Sequence, residues 1–439
     1  MISTNYYLNY YNLMKVAIFF LVIGNLARSF VKTPSATIEL LLIGTLLFFS
    51  IIYAVQNYTF NKGSSFVFLL FLFYLLMHTL SATIIRPFSI DTNFFLTLQF
   101  NLLEFRISTL GYFLPLIFMP LNKDNIIKFE EFFYFLLKLS IAYTIFEQVL
   151  SLIGFRSFFE LLYSNSGVVT VNQIGAKSLG MYRIWGLVGS PQLLGVFHIM
   201  TLFFMLHKND HFWAKLSFLA IIFSTSKTAY LILIAMILLY LIYKKKYAIV
   251  FLTSIFIFIG TVLLFNFYFY LIESQSYDYH GFKNFMGSIT GYVTLLMNVE
   301  NIDAHDGFAQ GGGPLYKLIM YYSLNPMELV LGKGITYAFM QQNLISDSPF
   351  SSYSYLTSDF YVLAYFEQYG IVGILLLIYI FMIYPFKRLL NENSYLNFIP
   401  IIFFMSMLHY PPQISKLMAI VVAYPLWNIY LNNDKQNET

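Results

Sequence analysis

The chain has 439 residues, of which 59% are hydrophobic, 20% aromatic and only 10% charged, with a formal net charge of +4. A soluble domain carries about 25% charged residues, so a soluble globular protein is excluded. No basic aromatic stripe suggests a nucleic acid, and the lack of any Cys rules out disulfides and thiolate metal sites.

Apolar stretches recur at about the 20-residue length that crosses about 30 Å of hydrocarbon. A backbone in lipid must satisfy its own hydrogen bonds, so these stretches read as helices. The alternating ten-residue pattern of a membrane β-barrel is absent. The fold class is therefore an all-α polytopic membrane protein. In chain order twelve spans are expected, at 14–31, 37–56, 64–82, 105–121, 130–153, 184–206, 212–225, 226–243, 247–272, 359–385, 395–410 and 412–431. The first has no small-residue cleavage site and is expected to be retained. The organisation is residues 1–272 with nine spans, a mostly polar, Tyr-rich loop at 273–358, and residues 359–439 with three spans and a tail.

Lys244-Lys245-Lys246 lies between two spans and should be cytoplasmic. Counting in both directions then puts 122–129, 207–211, 386–394 and both termini inside. The large loop falls outside, with 83–104 and 154–183. Five of the six arginines (Arg28, Arg86, Arg106, Arg156 and Arg183) fall outside or at the outer interface. Arg binds phosphate as a bidentate fork, so this placement hints at an anionic ligand. Snorkelling to the interface is the structural alternative.

Arg183 opens the stretch Arg183-Ile184-Trp185-Gly186-Leu187-Val188-Gly189-Ser190-Pro191-Gln192. Gly186, Gly189 and Gly195 permit close backbone approach, and Ser190-Pro191 breaks a short turn from the helix proper. Arg183 either holds a phosphate or anchors the interface with Trp185. Ser226-Lys227-Thr228 lies at a tight turn. Lys227 sits near Arg183 if the sixth, seventh and eighth spans are neighbours; an ionisable residue at that depth is a functional candidate or a snorkelling anchor. Glu147 and Lys138 lie within one span, nine residues apart, and need partners from other helices.

In the large loop, Gly311-Gly312-Gly313-Pro314 precedes an amphipathic helix expected over Leu315 to Leu324, ended by Asn325-Pro326. Leu331-Gly332-Lys333-Gly334 makes a turn. His280, Asp303, His305 and Asp306 show no metal-ligand spacing. Asp359 starts the tenth span as a helix N-cap, a proton-accepting carboxylate, or both.

The order Arg183-Ile-Trp-Gly-Leu-Val-Gly-Ser-Pro-Gln, Ser226-Lys227-Thr228, then Asp359-Phe360 followed by Gly370-Ile-Val-Gly373, with one large late loop, resembles the O-antigen polymerase and O-antigen ligase superfamily. The similarity spans about 183–373. Ligases usually carry His where this chain has Asp359, which favours polymerase. The family's Ser-Arg pair is Ser226-Lys227 here, and the cation nearest the place of its loop arginine is Lys317.

The resemblance implies a metal-independent, cofactor-free, inverting glycosyltransferase of the cytoplasmic (inner) membrane. Its substrates would be undecaprenyl-diphosphate-linked glycans, polymerised on the outer face into O-antigen, capsule or exopolysaccharide. Arg183 and Lys227 would stabilise the departing diphosphate and Asp359 would act as base. Arg86, Arg106, Lys317 and Lys333 would help bind substrate, and Tyr353 would stack on sugar rings. Membrane lipid and a chain-length regulator are the implied partners. An O-antigen ligase is the alternative, and a lipid-linked oligosaccharide flippase the second. A carrier predicts two similar halves with short loops, and no internal repeat is visible.

Overall fold

A computed structural model describes residues 4–30, 35–57, 63–85, 109–164, 177–178, 181–273, 283, 286–287, 326–332, 361–392, 394–408 and 415–432. These are almost entirely helical. The long helices are α1 (Thr4–Phe30), α2 (Ser35–Asn57) and α3 (Gly63–Ile85). A short α4 (Leu110–Phe113) runs into a 3-10 turn, Leu114–Phe118, and is followed by α5 (Lys123–Leu150), a π turn at Ser151–Phe155, and α6 (Arg156–Ser164). A two-residue antiparallel ladder, Lys177–Ser178 with Met181–Tyr182, leads to α7 (Pro191–His207). Next come α8 (His211–Ser224), α9 (Lys227–Tyr243), α10 (Tyr247–Glu273) and the short α11 (Pro326–Leu331). The last group is α12 (Tyr361–Ile378), α13 (Tyr384–Asn391), α14 (Phe398–Met407) and α15 (Lys416–Leu426).

Among the described residues, four helical stretches are long and apolar enough to cross a membrane: Gly63–Leu80, Lys123–Tyr163, Tyr247–Glu273 and Gln368–Asn391. Seven shorter apolar helices accompany them. The fold is thus all-α, with helices suited to a membrane. Helix α10 turns almost every apolar side chain outward, and only Tyr268 and Leu271 of it are buried. Such a face suits lipid, which is as apolar as the side chains themselves.

One expectation changes. Residues 105–121 are not one continuous span among the described residues. Pro115 has no N–H and disfavours α-helix just before it, so the segment breaks into α4 and a 3-10 turn. Both pieces are buried inside the bundle, and Tyr10 donates to the Ile117 carbonyl at 2.7 Å. Pro326 opens α11 from its first position, where the missing N–H would be unpaired anyway. The helix expected over Leu315 to Leu324 lies outside the described residues.

The high aromatic content is spent in the core. Phe68 stacks on Tyr430 at 5.1 Å, Phe381 on Phe403 at 5.4 Å, and Phe203 on Phe398 at 4.4 Å. Helices in lipid associate through packing and polar contacts rather than water exclusion, and stacked rings supply large contact areas.

Helix α7 packs on α8, α9 and α14, while α5 packs on α8. The α7–α8 turn is tied to α5 by charge. Asp210 caps α8 through the Trp213 N–H at 3.2 Å and pairs with Lys138 Nζ at 3.0 Å. Lys208 pairs with Glu130, which also accepts from Tyr424 of α15. At the α9–α10 turn Lys244 lies over the Tyr243 ring at 4.9 Å and the Tyr395 ring at 5.2 Å. Lys138 thus finds its partner on another element, as the sequence requires.

Candidate functional site

The opposite ends of these helices build the site. Helix α7 packs directly on α9, and the starts of the two helices meet. Thr225 is left-handed (φ 51°) and lets α8 stop and α9 start within three residues, which is the break expected near Thr225. Ser190 caps α7 by accepting from Leu193 N–H, and Ser226 caps α9 by accepting from Ala229 N–H at 3.3 Å. Ser226 also donates to the Gln192 carbonyl at 3.0 Å. A Cβ on Gly195 would lie 2.4 Å from Ala229 Cβ, so only glycine lets the two helix starts approach this closely. Two positive helix ends therefore lie side by side.

Arg183 and Lys227 sit at this end, both partly buried. The Arg183 charge acts on Lys227, so the two cations share one electrostatic neighbourhood. Like charges held together at two helix N-termini favour an anion. The expected neighbourhood of Arg183 and Lys227 is what the structure contains.

The loop that carries Arg183 is shaped by two glycines and held by a buried carboxylate. Gly186 (φ 55°) and Gly189 (φ 75°) are left-handed, and a Cβ on Gly186 would meet Leu194 Cδ1 at 2.4 Å. Gly189 N–H donates to the Trp185 carbonyl at 3.0 Å. Beneath the loop Glu147 is fully buried. Its Oε1 accepts from Trp185 N–H at 3.0 Å, and its Oε2 accepts from Gly186 N–H at 2.9 Å and from Tyr163 Oη at 2.8 Å. Arg156 Nη1 stands 3.9 Å from Glu147 Oε1, and Arg156 Nη2 donates to the Arg183 carbonyl at 3.1 Å.

A straight helix would hold Glu147 and Arg156 about 13 Å apart along its axis. Gly154, with φ 106° inside the π turn, breaks the helix and folds α6 back over the head of α5. That fold-back brings Arg156 and Tyr163 to Glu147. Trp185 completes the packing against Tyr163, with rings 6.2 Å apart.

Below Glu147 the inner face of α5 stays polar: Ser140, Thr144, Gln148 and Ser151 are all buried. Thr144 Oγ1 meets His198 Nε2 of α7 at 2.8 Å. Among the described residues, the Gln148 amide, the Ser151 hydroxyl, Trp185 Nε1 and His198 Nδ1 meet no hydrogen-bond partner. Sequence reasoning noted Glu147 and Arg156 singly but missed their pairing, and it missed Gln148 and His198. Adjacent Glu147-Gln148 in an apolar span was the available signal.

A second unusual backbone lies in the middle of α12. Gly370 (φ 61°, ψ −168°) breaks α12. A Cβ on it would meet Gly332 N at 2.4 Å, and one on Gly332 (φ 83°) would meet the Gln368 carbonyl oxygen at 2.3 Å. Tyr74 donates to the carbonyls of Tyr369 at 2.8 Å and Leu331 at 3.1 Å, and His78 Nε2 lies 2.9 Å from the latter. The Gly370-to-Gly373 motif is thus a pinned helix break, with α3 satisfying the exposed carbonyls.

Of the other residues singled out in the sequence, Arg86, Arg106, Lys317, Lys333, Tyr353 and Asp359 lie outside the described residues, as do His280, Asp303, His305 and Asp306. Among the described residues no three His, Asp or Glu side chains gather as a metal site. No protein-family model, curated protein or solved structure matches the chain.

Proposed function

We propose that the chain is a membrane glycosyltransferase that polymerises undecaprenyl-diphosphate-linked repeat units on the outer face of the cytoplasmic membrane. The observation that carries this reading is that Lys227, at the start of α9 and beside the start of α7, lies within reach of the Arg183 charge. In this reading twelve spans cross the membrane, with the 273–358 loop on the outer face.

An acceptor hydroxyl attacks the anomeric carbon of the donor glycan. The bond to the diphosphate breaks with its electron pair, and undecaprenyl diphosphate leaves. Attack from the opposite face inverts the anomeric centre. Negative charge grows on the diphosphate oxygens, and fixed cations and helix dipoles aimed at that charge lower the barrier. Arg183 and Lys227 take this role, assisted by Arg86, Arg106, Lys317 and Lys333. Asp359 accepts the hydroxyl proton, and Tyr353 stacks on sugar. A diphosphate leaves readily, so no metal is required.

The test is glycan length on a gel from cells lacking the gene, complemented with wild type or Arg183→Ala. Loss of the ladder to a single repeat unit, restored by wild type alone, is the expected result. Full-length glycan left on its carrier lipid would indicate a ligase instead. Repeat units trapped inside the cell would indicate transport and overturn the enzyme reading.

A further inference from the structure

The charged groups at the Arg183 end divide into two sets. Arg183 and Lys227 act on one another and are only partly buried. Glu147 and Arg156 are buried and oppositely charged. Arg156 Nε also stands 3.6 Å from Glu160 Oε1, so this second group adds no positive charge to the anion site, and its value must lie in geometry.

That geometry is centred on one residue. The Arg183 carbonyl is held by Arg156 at 3.1 Å, while the N–H groups of Trp185 and Gly186 are held by Glu147 at 3.0 and 2.9 Å. The backbone is thus gripped at Arg183 and again two and three residues later. Tyr163 holds the remaining side of the Glu147 carboxylate at 2.8 Å, and the Arg156 guanidinium lies over the Tyr182 ring at 5.1 Å. A loop turned by two left-handed glycines has little stiffness of its own. A carboxylate accepting several donors at once supplies it, because charge-assisted hydrogen bonds are short and strong.

The same contacts exclude a role for Glu147 as a proton acceptor for substrate. It is fully buried beneath Gly186, and its oxygens are occupied by three donors.

We propose that Glu147 and Arg156 are positioning residues that brace the 183–186 backbone and so aim the Arg183 guanidinium at a diphosphate. This rests on the reading of Arg183 as a diphosphate-binding residue. Preorganising a binding group lowers the ordering cost of binding, so loss of the brace should weaken affinity without removing any cation of the Arg183–Lys227 pair.

The experiment measures binding of undecaprenyl diphosphate to the full-length protein in detergent, with melting temperature recorded alongside. Arg183→Ala should weaken binding about ten- to a hundredfold, the worth of a hydrogen bond to a charged group. Glu147→Gln keeps the volume but loses the charge and one acceptor; it should weaken binding about tenfold or more. The double variant should bind no worse than Arg183→Ala alone, because both changes disable the same group.

Wild-type affinity in Glu147→Gln beside a weakened Arg183→Ala would overturn the brace, as would effects that multiply in the double variant. Should Glu147→Gln fail to fold, Tyr163→Phe and Arg156→Lys decide, since both keep the carboxylate. A loss that vanishes in the Arg183→Ala background supports the brace, and wild-type binding in both overturns it. Failure of the underlying reading has a different signature: Arg183→Ala itself binds the probe as wild type does.

Discussion

Arg183 and Lys227 are both cations, but they are not equivalent. A guanidinium fork can bind two phosphate oxygens at once, whereas an ammonium acts as a point charge. Arg183→Lys should therefore keep part of the polymerising activity that Arg183→Ala loses, falling about tenfold below wild type, the equivalent of about 1.4 kcal/mol. Lys227→Arg should stay close to wild type. Rates of chain extension in membranes from complemented cells check both, and equal activity of Arg183→Lys and wild type would show that the fork is not used. At this scale the sequence revealed the cations and the helix breaks, and the structure adds the caps. Ser190-Pro191 read as a helix start and Ser190 does cap α7; Ser226 caps α9 beside Lys227. The partners of Glu147 were not legible. They come from residues 156, 163, 185 and 186, and no local periodicity encodes a contact made across a chain reversal.

Breaks in helices, more than the helices themselves, place the functional groups. The apolar runs locate α2, α3 and α8 to α10 within about three residues, because length and hydrophobicity decide them, but they misplace the starts of α1, α5 and α7 by about seven to ten residues. Where the runs end is decided by single residues with special backbone needs. Gly154 at φ 106° ends α5 and returns α6 over it; nothing crowds its Cβ position, so the demand is purely conformational. Gly154→Ala should destabilise the protein by about 1–2 kcal/mol, the usual penalty for a left-handed L-residue. It should also lower diphosphate binding, because Arg156 and Tyr163 reach Glu147 only through that turn. Thermal unfolding in detergent checks the first effect, and an unchanged melting temperature would show that the turn relaxes without strain. Gly370 and Gly332 form a contact that the sequence could not disclose, since the two lie far apart in the chain and meet only when α11 packs on α12.

Across the whole molecule, charges collect at two ends. One end holds Glu130, Lys208, Asp210 and Lys244; the other holds Glu147, Arg156, Arg183 and Lys227. If the first end is cytoplasmic, as Lys244-Lys245-Lys246 implies, a chain without cysteine gives a clean background for mapping. Lys245→Cys should react with a membrane-impermeant thiol reagent only after cells are opened, and Gln310→Cys should react in intact cells. The reverse pattern would invert the topology and remove the site from the outer face. Burial raises the affinity of the Asp210 carboxyl for its proton, but hydrogen bonds from Tyr134 and Lys138 outweigh it and hold the group below the usual carboxylate range. A depressed carboxylate stabilises the fold above its unfolded value of about 3.9 and loses that contribution as pH falls through the folded value. Melting temperature should therefore drop on acidification below about pH 4, and Asp210→Asn should blunt part of the drop; an identical pH profile would assign the acid sensitivity elsewhere.

The central claim is tested most directly by reconstitution. Purified protein in lipid vesicles is given an undecaprenyl-diphosphate-linked repeat unit and nothing else, and the products are read by mass. Wild type should yield glycans of two or more repeats with one undecaprenyl diphosphate released per linkage formed, and Arg183→Ala should yield almost none. Repeat units recovered unjoined from active wild-type protein would contradict the account.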